Sequence, residues 1–109
     1  AIEYAKENIV LNNLTNCRAE CVEAEKMLDI ISKDKIIILD PPRAGLHKDV
    51  IREIIKKQPE RIVYLSCNLS TQARDIQMLS ENYKVSFIKL YNFFPRTPHI
   101  EGLCVLEKI

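Results

Sequence analysis

Glycine is nearly absent from this chain, with only Gly45 and Gly102 among its 109 residues. Average glycine usage in globular domains is about 7%, and a nucleotide-binding α/β domain carries a glycine-rich turn after its first strand. No such turn occurs in the sequence, so a complete domain of that kind is excluded. We therefore expect these residues to be one part of a larger protein.

Long apolar runs and a bias toward one charge are also absent. No stretch approaches the ~20 apolar residues of a membrane span, and the N-terminus lacks the basic and apolar regions of a secretory signal. The net charge is only +1, which argues neither for nor against a nucleic-acid partner. We expect a cytoplasmic protein, or a nuclear one in a eukaryote, with no membrane partner.

The four cysteines are expected to be reduced thiols, because disulfides are rare in cytosolic and nuclear proteins. Cys17 and Cys21 are spaced as C-x3-C, which could suit zinc, but no matching pair follows. We therefore predict that no metal is bound. Cys104 lies within an apolar run and is expected to be a structural thiol.

Apolar periodicity predicts alternating helices and strands. Helical spacing indicates helices over residues 1–13, 24–31, 46–58 and 71–81, the last with Ala73, Ile76 and Leu79 facing inward. Apolar runs indicate strands over residues 17–22, 36–39, 61–66, 84–91 and 103–106. The alternation predicts an α/β fold with a mostly parallel sheet, and the last two strands suit an antiparallel hairpin at one edge.

Two of the predicted strands end in residues that are suited to chemistry. The run 35–39 is followed by Asp40 and two prolines, and the run 61–66 is followed by Cys67. Taken singly, Cys67 could be a buried structural thiol and Asp40 an ordinary turn cap. Ligand sites of open α/β sheets, however, form at the carboxyl ends of strands. A carboxylate and a thiol at two such ends predict an active site.

Three motifs in this chain, in this order, resemble those of one known family. They are Asp-Pro-Pro-Arg-Ala-Gly-Leu at 40–46, Ser-Cys-Asn at 66–68 with Thr71 and Ala-Arg-Asp at 73–75, and Phe-Pro-Arg-Thr-Pro-His-Ile-Glu at 94–101. The combination resembles the S-adenosylmethionine-dependent RNA 5-methyluridine methyltransferases of tRNA and rRNA. The resemblance implies that residues 1–109 are the C-terminal portion of a Rossmann-like catalytic domain, without its glycine-rich cofactor half.

The resemblance also implies roles for four residues. Cys67 is the implied nucleophile and Glu101 the implied general base, while Asp40 is expected to contact S-adenosylmethionine and Glu23 to lie near its adenine. A thiolate that adds to carbon 6 of uracil activates carbon 5 for methylation. A carboxylate can then remove the carbon-5 proton, so that the cysteine leaves. The implied partner is RNA, either tRNA or rRNA.

The sequence departs from the family pattern at three positions. Leu69 stands where the family usually has proline, Asn92 where it usually has aspartate, and Glu23 where aspartate is commoner. None of these changes removes the nucleophile or the base. A non-catalytic RNA-binding relative that retains the same scaffold is the alternative function.

The isolated 109-residue chain has expected properties of its own. Without a glycine-rich half, we expect it to bind the cofactor poorly and to show little or no methyltransferase activity. The strands of that half would normally flank the sheet, so their absence predicts an exposed strand edge. Such an edge invites pairing with another chain, and we therefore expect self-association.

Overall fold

A four-stranded mixed sheet forms the centre of the computed structural model, which describes residues 1–109. The strands are β1 (Ile36–Leu39), β2 (Arg61–Ser66), β3 (Tyr83–Tyr91) and β4 (Glu101–Lys108). They are arranged in the order β1-β2-β4-β3. β1 and β2 are parallel, whereas β4 is antiparallel to both of its neighbours. Three strands therefore share one direction, and the antiparallel pair predicted at the end of the chain is confirmed.

The three α-helices lie close to their predicted positions. They are α1 (Ile2–Leu11), α2 (Lys48–Lys57) and α3 (Leu69–Leu79). The ring nitrogen of His47 accepts a hydrogen bond from the backbone N–H of Asp49 at 3.2 Å and caps α2. Asn68 caps α3 through its side-chain oxygen, which accepts from the N–H of Ser70 at 3.1 Å. Because of this cap, α3 begins at Leu69, two residues earlier than predicted. Only Asn68 separates Cys67 from the helix.

Two predictions for the segment before β1 are wrong. Residues 17–22 form no strand, and residues 24–31 form two short 3-10 turns, Ala24–Lys26 and Leu28–Ile30, in place of an α-helix. A short strand is stable only when it pairs with others, and residues 17–22 do not pair with the free edge of β1, where the sheet ends. The N-terminal part of the chain therefore lies outside the sheet.

The hydrophobic core lies between α2, α3 and one face of the sheet. It consists of Ile31, Leu46, Val50, Ile51, Ile54, Ile62, Tyr64, Leu79, Tyr83, Cys104 and Leu106. Along β2 and β4 every second residue is buried, whereas the residues between them are only half-buried or exposed. The sheet therefore has one face covered by helices and one more open face.

The remaining elements contribute little to this core. α1 buries none of its residues, and the strand residues Ile36 and Ile38 of β1 are 60% and 75% exposed. No helix combines the length and the apolarity that crossing a lipid bilayer requires.

Candidate active site

The register of β2 and β4 brings Cys67 and Glu101 together. The last pair of this antiparallel ladder joins Ser66 to Gly102, and Cys67 and Glu101 are the next residues beyond that pair. Paired residues of an antiparallel ladder have Cα atoms about 4.5–5.5 Å apart. The thiol and the carboxylate therefore lie next to one another at the same end of the sheet.

Glu101 belongs to the open face of the sheet, and Cys67 follows the last residue of β2. Side chains alternate between the two faces along a strand, and Ser66 and Gly102 are buried on the face that α3 covers. Glu101 therefore falls on the opposite face. Cys67 and Glu101 are each half-buried, so neither is closed off from a substrate.

Asp40 lies at the same end of the sheet. Leu39 pairs with Tyr64 in the parallel ladder. Asp40 therefore lies level with Leu65, two residues before Cys67. The Asp40 side chain is exposed, and it lines a cavity of about 810 Å³. Three of the four predicted site residues thus lie at one end of the sheet, where Asp40 lines this cavity and Cys67 and Glu101 do not.

Glu23 is the fourth predicted residue, and the structure places it apart from the other three. Its carboxylate forms an ion pair with Lys26 Nζ at 2.9 Å and is 64% exposed. The neighbouring residues Ala24 and Glu25 line the cavity beside Asp40, whereas Glu23 does not. A contact between Glu23 and adenine stays a prediction. The Glu-Ala-Glu sequence could not show which of its two carboxylates faces the cavity.

A buried amide joins the two strands that carry Cys67 and Glu101. The Nε2 atom of Gln72 donates hydrogen bonds to the carbonyl oxygens of Tyr64 at 3.1 Å and Gly102 at 2.9 Å. Gln72 is only 3% exposed, whereas Ala73, which was predicted to face inward, is exposed. Buried backbone carbonyls require a donor, and an apolar side chain could not supply one here.

Gly102 allows this close approach of α3 to β4. A Cβ atom at this position would lie 2.5 Å from Gln72 Oε1 and 2.6 Å from Leu69 Cδ2. Real Cβ atoms do not approach heavy atoms so closely, so a larger residue would displace the Gln72 and Leu69 side chains and with them the Gln72 hydrogen bonds. The glycine beside Glu101 is therefore required by packing.

A second buried polar residue, Asp75, lies one turn further along α3. Its side chain is 0% exposed and accepts a hydrogen bond from the hydroxyl of Tyr64 at 2.7 Å. Burial raises the pKa of Tyr64 above its ordinary value of 10, and the Asp75 carboxylate adds to the effect. The phenol therefore stays protonated and continues to donate.

The N-terminus of α3 lies close to Cys67 in the chain. α3 begins at Leu69 with Asn68 as its cap, so the N-terminus of the helix lies directly after Cys67. Unpaired backbone N–H groups give a helix N-terminus a partial positive charge, and a thiolate is the nucleophilic form of cysteine. This placement suits a cysteine that acts as a nucleophile.

The fold and this end of the sheet define a class, α/β domains with a cysteine and a carboxylate at neighbouring strand ends. The chain belongs to the tRNA (uracil-5-)-methyltransferase family, whose model matches residues 1–109. The family resemblance predicted from the three motifs is thereby confirmed.

Individual relatives support the assignment. An RNA methyltransferase of Bacteroides thetaiotaomicron is 43% identical over 112 residues, which cover 98% of this chain and 25% of the relative. The tRNA (uracil(54)-C(5))-methyltransferase of Saccharomyces cerevisiae is 33% identical over 118 residues, which cover 100% of this chain and 18% of the yeast protein. The chain thus spans a quarter or less of these two relatives.

A solved structure shows the same arrangement of elements. The crystal structure of Pyrococcus abyssi tRNA (uracil-54, C5)-methyltransferase in complex with S-adenosyl-L-homocysteine matches with a TM-score of 0.76 and 35% identity. The match covers 96% of this chain and 26% of the Pyrococcus chain. The α/β fold predicted from the sequence is therefore confirmed.

Proposed function

We propose that the protein carrying these residues transfers a methyl group from S-adenosylmethionine to carbon 5 of a uridine in tRNA or rRNA. In this proposal residues 1–109 are the C-terminal portion of the catalytic domain. The observation that carries the proposal is the position of Cys67 and Glu101, one step beyond the Ser66–Gly102 pair of β2 and β4.

This spacing suits the chemistry of the uracil ring. Carbons 5 and 6 are bonded to one another, so groups that act on these two atoms must themselves be neighbours. The Cys67 thiolate adds to carbon 6, and the electron pair of the 5,6 double bond moves toward the carbon-4 carbonyl oxygen. Carbon 5 then becomes nucleophilic. S-adenosylmethionine, when bound, supplies an electrophilic methyl group on its sulfonium sulfur.

Glu101 completes the reaction in this proposal. After methylation, carbon 5 still carries its original proton, and the carboxylate accepts that proton. The electron pair of the carbon–hydrogen bond re-forms the 5,6 double bond, while the bond between carbon 6 and the Cys67 sulfur breaks. Uracil is thereby restored with a methyl group, and the thiolate is regenerated.

The cavity beside Asp40 fits one end of the cofactor. Its volume is about 810 Å³, and it is lined by apolar side chains of β1, α2 and α3 and by the carboxylates of Asp40, Glu25 and Asp75. Apolar surface suits the adenine ring, and carboxylates can accept hydrogen bonds from its amino group or from ribose hydroxyls. We assign Asp40 to cofactor contact and keep Glu23 as a predicted contact near adenine.

Methylation of unmodified RNA tests the proposal directly. The full-length protein is incubated with methyl-labelled S-adenosylmethionine and with tRNA or rRNA transcripts, and the nucleosides are identified by mass spectrometry. We expect labelled 5-methyluridine. RNA binding without 5-methyluridine in either pool would instead support the non-catalytic relative.

A further inference from the structure

The loop between Asp40 and α2 has few apolar anchors of its own. Asp40, Pro42, Arg43 and Ala44 are all exposed, and Leu46 is its one core residue. An exposed loop with so little buried apolar surface is expected to open easily. The position of Asp40 therefore depends on the hydrogen bonds that hold the loop backbone.

Side chains of α3 make those hydrogen bonds. The carbonyl oxygen of Arg43 accepts from Asn68 Nδ2 and from Thr71 Oγ1, both at 3.0 Å. The carbonyl oxygen of Ala44 accepts from Arg74 Nη2 at 2.9 Å. Because these bonds use only backbone atoms of the loop, its side chains remain free to face a ligand.

Asp75 connects Arg74 to the far end of the loop. One carboxylate oxygen accepts from Arg74 Nε at 3.0 Å and Nη2 at 2.8 Å. The other accepts from the backbone N–H of Leu46 at 2.8 Å and the Tyr64 hydroxyl. A buried carboxylate is stable only when it is paired in this way, and Arg74 supplies the balancing charge.

Gly45 shows how tightly the loop and α3 are fitted. It adopts a left-handed backbone with φ of +85°, and a Cβ atom there would lie 2.6 Å from Arg74 Nη2 and 2.7 Å from Asp75 Oδ2. A side chain at this position would be strained by the positive φ and would force the Arg74 and Asp75 side chains to move. The loop is thus held against the helix that begins directly after Cys67.

We propose that Arg74 is a positioning residue, which fixes the Asp40 loop relative to Cys67 by binding the carbonyl of Ala44 and the carboxylate of Asp75 together. This inference rests on the proposed function, because it gives the Asp40 loop a role in holding the cofactor. Arg74 also lines the cavity beside Asp40, so loop exchange, and not affinity alone, is the readout of its positioning role. Its side chain is 46% exposed, so its replacement leaves the apolar core intact.

The test compares Arg74→Gln with Arg61→Gln in the full-length protein. The control, Arg61, is also a half-exposed arginine in a salt bridge, with Glu107 at 2.6 Å, but it lies at the opposite end of β2. Hydrogen exchange is followed in peptides covering residues 41–47, and affinity for S-adenosylhomocysteine is measured by calorimetry. Thermal unfolding checks that both variants are folded.

We expect Arg74→Gln to speed exchange in the loop roughly tenfold and to weaken S-adenosylhomocysteine binding roughly tenfold. A change of this size corresponds to the loss of one charge-assisted hydrogen bond. Arg61→Gln should change neither value. Loop exchange equal to that of the control would overturn the positioning role, whether or not the cofactor binds. If the unsubstituted protein binds no S-adenosylhomocysteine, the cofactor assignment of the proposed function fails instead, and the exchange data still decide the role of Arg74.

Discussion

Glu101 is the residue whose replacement should separate the two halves of the proposed reaction. In Glu101→Gln, Cys67 can still add to carbon 6, but no carboxylate removes the carbon-5 proton. We expect turnover to fall by about 10²–10⁴-fold, while a methylated RNA–protein adduct accumulates on a denaturing gel with ordinary RNA.

The matched control for this experiment is Glu107→Gln. Glu107 lies on the same strand and the same face as Glu101, but at the other end of the sheet beside Arg61. We expect it to leave turnover unchanged and to form no lasting adduct. Loss of activity in Glu101→Gln without an adduct would contradict the assigned role, because it would place Glu101 before the elimination step.

Motifs could point to candidate reactive residues, but not to the residues that hold them in place. Cys67, Glu101 and Asp40 are recognisable from their strand-end positions and motifs. Gln72 and Asp75 look like solvent-facing helix residues in the sequence, whereas both are buried. Their partners are backbone carbonyls and a tyrosine hydroxyl from distant segments, and helical periodicity carries no information about such partners.

At the scale of elements, the sequence could predict the segments that pack against one another. β1 and β2 have their predicted bounds, Ile36–Leu39 and Arg61–Ser66, because a short continuous apolar run favours a strand. The run could not show that β1 lies at the edge of the sheet with Ile36 and Ile38 exposed. The strand predicted at 17–22 is wrong, since a strand needs a partner that local pattern cannot supply. The local pattern also could not predict that β4 lies between β2 and β3, because strand order depends on pairing across the whole sheet.

The start of β3 gives a prediction for alkaline pH. The hydroxyl of Tyr83 donates to the carbonyl of Pro59 at 2.6 Å, and burial raises the pKa of Tyr83 from its ordinary value of 10 to about 12. The unfolded chain therefore loses this proton near pH 10, whereas the folded chain keeps it until about pH 12. Its contribution to stability is complete below pH 10 and is lost as the pH rises through this window.

Tyr83→Phe removes this titration, so its free energy of unfolding should fall less steeply above pH 10 than that of the unsubstituted protein. The difference between the two free energies of unfolding should change by roughly 3 kcal/mol across the window. Urea unfolding followed by circular dichroism, at pH values below and within the window, measures it. Parallel pH profiles for the two proteins would show that Tyr83 does not carry the effect.

The whole molecule presents an unpaired edge at β1, where Ile38 is 75% exposed. Unpaired strand edges recruit other chains, and charged residues on an edge oppose such pairing. We expect the isolated 109-residue chain to self-associate, and Ile38→Lys to shift it toward monomer. Light scattering at increasing protein concentration measures the change in mass.

The control for this prediction is Val10→Lys. Val10 is also 75% exposed and apolar, but it lies on α1, away from the sheet edge. It should leave the association unchanged. A monomeric unsubstituted chain at high concentration, or equal effects of the two substitutions, would show that the β1 edge is not responsible.

The central claim is that Cys67 attacks a uracil ring, and 5-fluorouridine-substituted RNA tests it most directly. Fluorine on carbon 5 cannot leave as a proton, so the enzyme should stall with RNA attached to its thiol. With the full-length protein and S-adenosylmethionine, we expect a slower protein–RNA band on a denaturing gel. The band should persist in Cys17→Ala, which removes an exposed thiol, and disappear in Cys67→Ala. A band that survives in Cys67→Ala, or no band with tRNA and rRNA pools, would contradict the account.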